Sequence, residues 1–481
     1  MKKYLVIHPF LFAIFPVLFL FSYNINEVPG TDLILPLLIT IVGTLITYLL
    51  LRLIIKNSNK AAIVTSILLI LFFSYGRVRD AIFSLGINGL DIGQLHISPQ
   101  FILAPLWLAL FIVGTFFIIR AHSDFATSTK FLNVVAIALV AISLINISIY
   151  EVRSLNRAPA EIKKEITSLS SGNTNNLPDI YYIILDGYPR QDTLREVHGY
   201  DNSEFIQYLT SKGFYVASQS RSNYPFTLLS LPSSLNMDYL TENQLASIET
   251  RVEMIINSRV SQLLKEKSYQ YIYVGGGYDW KGITNYTDGY FVYRSESLFK
   301  KSDFMDSLAD TTALSPFLIF FQGFFGDNDR KARLYAFDKL ADIPDIEEPT
   351  FVYAHILCPH RPFVFDRNGN PTKSSTYIRN LWQPIEEKEG YLDQVIFVSK
   401  KTEILIDEII SKSDVPPIII LQGDHGMWWE KGKETEILNA YYLPGKDNQP
   451  LYETVSPVNS FRIVFNLYFD TDYQLLRDET P

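Results

Sequence analysis

The sequence predicts an α-helical membrane region of about five spans, followed by an α/β domain with a mostly parallel central sheet. Three observations lead there. Long apolar runs dominate the first 150 residues, and each is near the ~20 residues that cross a bilayer. From residue 179 onward, strand-like runs alternate with helical stretches, which is the order of a layered α/β sheet. Two of those runs, 179–185 and 418–422, are apolar apart from Asp179 and Gln422 at their ends, as strands covered on both faces are. Each is followed closely by an aspartate: Asp186 before Gly187, and Asp424 with His425 between Gly423 and Gly426.

The apolar runs fall at 4–21, 33–51, 61–75, 101–119 and 131–150. The third is the weakest, because extending it to full length brings in Arg77 and Arg79. The first follows Lys2 and Lys3 as a signal peptide would, but no small-residue cleavage site comes after it, so it reads as an anchor. Basic residues in short loops set orientation. Lys2, Lys3, Arg52, Lys56, Lys60, Arg120 and Lys130 fall on one side, and only Arg77 and Arg79 on the other. The N-terminus is therefore expected inside and, after five spans, residues beyond 150 outside the cytoplasm. The expected organisation is a membrane region at 1–150, a polar tether at 151–178 and an extracytoplasmic domain at 179–481. The expected location is the cell membrane.

Composition narrows the function classes. Residues 1–150 hold nine Lys/Arg against five Asp/Glu, and the remainder holds 33 against 46. Nothing resembles a basic stripe, which argues against nucleic acid. An anionic substrate would need a metal or local cations to approach so acidic a domain. The single cysteine, Cys358, excludes an internal disulfide, and its neighbours suggest packing rather than catalysis. Further strands are expected at 269–274, 350–354 and 439–443, and helices at 203–212, 259–267 and 391–411.

Ligands of open α/β sheets gather at the carboxyl ends of the strands. Asp186, Asp424 and His425 there would make a natural half-site for a divalent cation. The plainer alternative is a turn dipeptide and a helix cap. Between the two aspartates lies Thr227, where a helix could begin after Pro225. A hydroxyl there faces free amides and the positive end of the helix dipole. It reads equally as an ordinary N-cap.

These residues resemble a known family. Asp186, Thr227-x-x-Ser230-x-Pro232 and Asp424-His425-Gly426 follow the order used by the alkaline phosphatase superfamily. The match looks closest to its sulfatase-like branch of membrane-anchored transferases, which includes lipoteichoic acid synthases and phosphoethanolamine transferases. The resemblance implies an alkaline phosphatase-like fold and a single metal held by Asp186, Thr227, Asp424 and His425. Three oxygens and one nitrogen suit Zn²⁺ or Mn²⁺ better than Mg²⁺. It further implies that His355 and His360, in His355-Ile356-Leu357-Cys358-Pro359-His360, bind a phosphate or protonate the leaving group. An imidazole near pKa ~6.5 suits that role. His355 also reads as a buried strand-end histidine. Arg361 and Asn223 would add contacts to phosphate oxygens.

The implied reaction is cleavage of a phosphoester or phosphodiester, with a phospholipid-like donor, through a covalent phospho-threonine at Thr227. The acceptor would be water, a glycan or an envelope polymer. Two features depart from the family: there is no disulfide, and no histidine follows His425. No Cys/Ser-x-Pro-x-Arg motif is present at Thr227, so sulfate ester hydrolysis is not expected. The alternative from another class is a catalytically inactive binding or scaffold protein of the envelope that keeps this fold. Gly275-Gly276-Gly277 reads as a tight turn, Trp428-Trp429 as either an apolar wall or core, and His198 as solvent-facing.

Overall fold

The computed structural model describes residues 5–25, 28, 30–85, 90–92, 95–97, 99–155, 177–293, 303–317, 328–372, 384–446 and 450–480. The chain divides into two compact units. The first contains five apolar helices: α1 (His8–Tyr23), α2 (Ile34–Ile55), α3 (Ser58–Ser84), α4 (Pro99–Arg120) and α5 (Ala126–Leu155). Between α3 and α4, β1 (Leu90–Ile92) and β2 (Leu95–Ile97) pair antiparallel. Four of the helices are long and apolar enough to cross a membrane. The fifth, α1, has 16 residues, or about 24 Å of rise. It packs against α2, α3 and α5. Its N-terminus is held by Asn133, whose Oδ1 accepts from the amides of Ile7 and His8 at 3.2 and 2.9 Å.

The third run is longer than its apolar core suggests: α3 has 27 residues and includes both arginines. Arg79 does not end the helix because it is buried against Asp310, with N–O distances of 3.2 and 3.0 Å. Residues 303–317 thus belong to the first unit, although they lie far along the chain. Residues 151–155 continue α5, and the rest of the expected tether, 156–176, lies outside the described residues.

The second unit is built on a seven-stranded sheet. Its strands are β3 (Ile180–Leu185), β4 (Tyr215–Val216), β5 (Gln270–Gly276), β6 (Gly289–Val292), β7 (Thr350–Ile356), β8 (Ile418–Gln422) and β9 (Asn439–Tyr442), in the order β4-β9-β8-β3-β7-β5-β6. The pairs from β8 to β6 are all parallel, and β9 runs antiparallel to both of its neighbours. All residues of β3, β7 and β8 are buried. Side chains alternate between two cores, one on each face. Tyr181, Ile183 and Leu185 enter one core with Val352 and Leu421, while Ile180, Tyr182 and Ile184 enter the other with Tyr353 and Ile420. This two-sided burial explains why the runs show no polar alternation. The helix Pro384–Lys412 packs on the first face and Pro457–Tyr468 on the second.

Glycine is required where β8 ends. A Cβ on Gly423 would lie 2.2 Å from the carbonyl oxygen of Tyr188. Gly423→Ala is expected to destabilise the protein by about 1–3 kcal/mol through overpacking, read as a lower melting temperature of the full-length protein. An unchanged melt would show that the β3 and β8 loops can move apart freely.

Candidate active site

Register alone brings the two aspartates together. Ile184 of β3 pairs with Gln422 of β8, so two residues further on Asp186 lies alongside Asp424. Both side chains are buried. Each has one carboxylate oxygen fixed and one without a hydrogen bond. Asp186 Oδ2 is 2.9 Å from His355 Nε2, and Asp424 Oδ1 accepts the Gly187 amide at 3.0 Å. Among the described residues, Asp186 Oδ1 and Asp424 Oδ2 have no hydrogen-bond partner.

His425 Nε2 lies 3.4 Å from Asp186 Oδ1 and 3.9 Å from Asp424 Oδ2. Its Nδ1 is 2.8 Å from the Gly426 carbonyl oxygen. A carbonyl can only accept, so Nδ1 carries a proton and Nε2 is the ring atom that faces the carboxylates. His360 repeats the pattern, with Nδ1 2.8 Å from the Arg361 carbonyl oxygen. Histidine ligands of metals commonly have their second nitrogen fixed in this way. Donor atoms of Asp186, His360 and His425 lie within 4.8 Å of one another, as do those of Asp186, His355 and Asp424. Two buried oxygens without partners beside two oriented imidazoles fit a divalent cation. A bound cation would offset the charge of two carboxylates buried at adjacent strand ends.

Ionisation follows the same geometry. Burial opposes charge on Asp186, but His360, His355 and His425 outweigh it and hold the carboxyl well below the usual range. Burial lowers His360 below its ordinary 6.5, with Asp186 opposing. It is therefore neutral at pH 7 and ready to donate a lone pair. This makes it a poorer general acid than the sequence suggests. Burial also disfavours charge on His425, but Asp424 and Asp186 push it up to about 9.

Thr227 is the first residue of the helix Thr227–Asn236 and is half-buried. Its N-cap residue is Phe226, so Thr227 is not the cap. Among the described residues its hydroxyl has no hydrogen-bond partner. Buried Ser230 lies one turn along the same helix. Arg361 is half-buried, with its guanidinium 5.1 Å from the Trp428 ring centroid. Trp428 also lies against His360 at 4.3 Å, forming a wall of the site, while Trp429 packs on Tyr391 at 4.6 Å.

Three expectations are corrected. Asn223 does not face a phosphate: its amide nitrogen reaches Tyr239, Ser456 and the Glu479 carbonyl, and its Oδ1 accepts from the Val458 amide. His355 is fully buried, with Tyr278 and Trp280 stacked at 5.1 and 5.9 Å, so it braces Asp186 and does not reach a substrate. His198 stacks on Tyr391 at 5.5 Å, and burial lowers it to about 4. Cys358 is buried beneath the site and its thiol is pushed up to about 12, in keeping with packing. The glycine run closes β5, where a Cβ on Gly275 would lie 2.4 Å from the Tyr278 carbonyl oxygen.

Sequence reading missed the residues that hold the loops. Tyr391 donates its hydroxyl to the Gly187 carbonyl at 2.7 Å. Gln394 donates to the carbonyls of Pro359 and His360 at 2.9 and 3.1 Å. Glu436 gathers Thr193, Arg190, Arg221 and Lys433 under the loop after His425. Tyr391 and Gln394 lie on an amphipathic helix, and nothing in the local sequence marks them out from core positions.

No protein-family model matches the chain, and no curated protein matches it. The chain is similar to solved phosphoethanolamine transferases. One is the C-terminal periplasmic domain of EptC from Escherichia coli in complex with Zn, at 10% identity and TM-score 0.44, covering 63% of this chain and 84% of that one. The periplasmic domain of EptC from Campylobacter jejuni matches at 13% identity and TM-score 0.39, covering 62% and 91%. The integral membrane lipooligosaccharide phosphoethanolamine transferase A from Neisseria meningitidis matches at 14% and 0.41, covering 96% and 95%.

The pH dependence has a definite sign. In metal-free protein the raised pKa of His425 adds stability that is full below 6.5 and lost as pH rises through about 9. Metal binding requires neutral His425, so affinity rises over the same window by up to roughly tenfold per pH unit. Melting curves between pH 6.5 and 9 are expected to fall without Zn²⁺, and the gain on adding Zn²⁺ is expected to grow. A pH-independent metal effect would exclude His425 as a ligand.

Proposed function

We propose that the chain is a multi-pass membrane enzyme of the sulfatase-like type. In this reading it cleaves a phosphoester or phosphodiester, such as a phospholipid head group, at one divalent metal outside the cytoplasm. One observation carries the reading. Two buried carboxylates, each with an unbonded oxygen, converge with two imidazoles whose Nδ1 protons are committed to carbonyls.

Asp186, Asp424, His425 and His360 would hold the ion, with Zn²⁺ or Mn²⁺ the best match to two oxygens and two nitrogens. When bound, such an ion supplies Lewis acidity toward phosphoryl oxygens and lowers the pKa of a neighbouring hydroxyl. Thr227 is the nucleophile. Among the described residues its hydroxyl has no competing hydrogen bond, and the N-terminal end of its helix favours an anion. As the Oγ1–P bond forms, the bond from phosphorus to the donor alcohol breaks. The Thr227 proton passes by way of water to the departing alkoxide, which leaves as the free alcohol. Water or an acceptor hydroxyl, from a glycan or envelope polymer, then releases the phospho-threonine. Arg361 and Trp428 border the substrate, one through charge and the other as an apolar wall. Apolar helices on the same chain confine enzyme and lipid donor to one surface.

The intact mass of wild type beside Thr227→Ala tests the nucleophile. A mass increment is expected on wild type alone, and its size names the transferred group. An increment that survives in Thr227→Ala would remove Thr227 from this role. Asp424→Asn is expected to weaken metal binding by roughly 100-fold, about 2.7 kcal/mol, measured as metal retained after dialysis. Stoichiometric retention would mean that the ion sits elsewhere.

A further inference from the structure

Near the end of α3 two arginines lie two residues apart and are handled in opposite ways. Arg79 is buried, with Asp310, Asp80 and Ser315 around its guanidinium. Arg77 is exposed and has no ion pair among the described residues. It lies at the edge of an apolar cavity of about 640 Å³, whose walls include Phe12 and Phe19 of α1, Leu69, Phe73 and Ala81 of α3, and Thr311.

Thr311 makes this cavity more than a crevice between helices. The Gly76 amide donates to the Thr311 carbonyl at 2.9 Å, and the Phe72 carbonyl accepts from the Ala313 amide at 2.8 Å. Those are the two groups that an uninterrupted α-helix pairs with each other. Only glycine permits the approach, since a Cβ on residue 76 would lie 2.5 Å from the Asp310 carbonyl oxygen. Phe304 and Leu308 join Val17, Leu20 and Phe21 in one apolar cluster, which fixes the segment against α1. Residues 303–317 therefore complete a wall of the cavity.

The distances suit an amphiphile. From Lys60 to Arg77 is 17 residues of helix, about 26 Å, close to the ~30 Å hydrocarbon core. With Lys60 at one face of a bilayer, Arg77 stands at the phosphate level of the other. From Leu69 to Arg77 is about 12 Å, most of one leaflet.

We propose that this cavity seats one acyl chain of a glycerophospholipid whose phosphate rests on Arg77. The inference rests on reading α1–α5 as membrane-embedded and is independent of the chemistry at Thr227. Full-length protein, extracted in mild detergent and examined by native mass spectrometry, is expected to carry one phospholipid. Ala81→Trp, which fills the cavity, is expected to lower occupancy roughly tenfold. Ile46→Trp, on the exposed surface of α2, is expected to leave it unchanged. Arg77→Gln is expected to weaken phospholipid retention while leaving diacylglycerol uptake as in wild type.

Wild type without phospholipid, or Ala81→Trp with wild-type occupancy, overturns the proposal. Unchanged phospholipid retention in Arg77→Gln overturns the phosphate contact. If Ala81→Trp fails to fold, Ile70→Trp blocks the same cavity. Hydrolysis of a water-soluble nitrophenyl phosphodiester by the same variants separates the two readings. Lipid lost with hydrolysis kept supports the cavity as a separate site. Lipid kept in Ala81→Trp counts against the cavity whatever the hydrolysis rate.

Discussion

Two aspartates buried side by side at the ends of adjacent parallel strands are the constraint on which the rest of this molecule depends. The β3–β8 register leaves them no choice of neighbour. Each carboxylate is held by one firm hydrogen bond, to His355 or to the Gly187 amide, and each presents its other oxygen inward. Such an arrangement is costly unless positive charge compensates it. The imidazolium of His425 does so in the metal-free protein, and a cation would do so when bound. The two compete for the same position, which couples proton and metal.

The surroundings serve to keep that pair of carboxylates in register. Tyr391 ties down the Gly187 carbonyl, and Gln394 holds the successive carbonyls of Pro359 and His360. Hydrogen bonds to backbone carbonyls fix a loop without placing another charge near the site. Glu436, buried like the two aspartates, has its own cations, so its charge is neutralised locally. The local field is therefore set chiefly by Asp186, Asp424 and the two imidazoles beside them.

The N-terminal unit obeys a different rule. In an apolar region a buried guanidinium needs its own carboxylate, and Arg79 finds it in Asp310, more than two hundred residues away in sequence. The same contact brings residues 303–317 onto α3, where a glycine lets backbone meet backbone. Arg77, two residues earlier, has no such partner among the described residues and lies at the edge of the apolar cavity.

Much of this is legible in the sequence. Unbroken apolar runs ending near aspartate mark β3 and β8 almost to the residue, because burial on both faces removes polar alternation. The same runs point to Asp186, Asp424 and His425, since parallel strands carry their C-terminal loops to one edge of the sheet. Local pattern cannot rank the histidines. His355, at the end of β7, and His360, on the loop after it, are five residues apart, yet one braces a carboxylate and the other faces the ligand cluster, a difference set by strand pairing and stacking. Asn223 reads as a phosphate ligand in the sequence, but the C-terminal segment occupies its amide in the fold. The length of α3 is hidden in the same way, because its arginine is paired with Asp310 as well as with the adjacent Asp80, and no local window contains Asp310. Sequence by itself determined which residues are apolar enough to be buried and which carry chemistry at strand ends. Tertiary structure alone decided which polar groups are paired, because a buried polar group's role is fixed by the partner that reaches it through space.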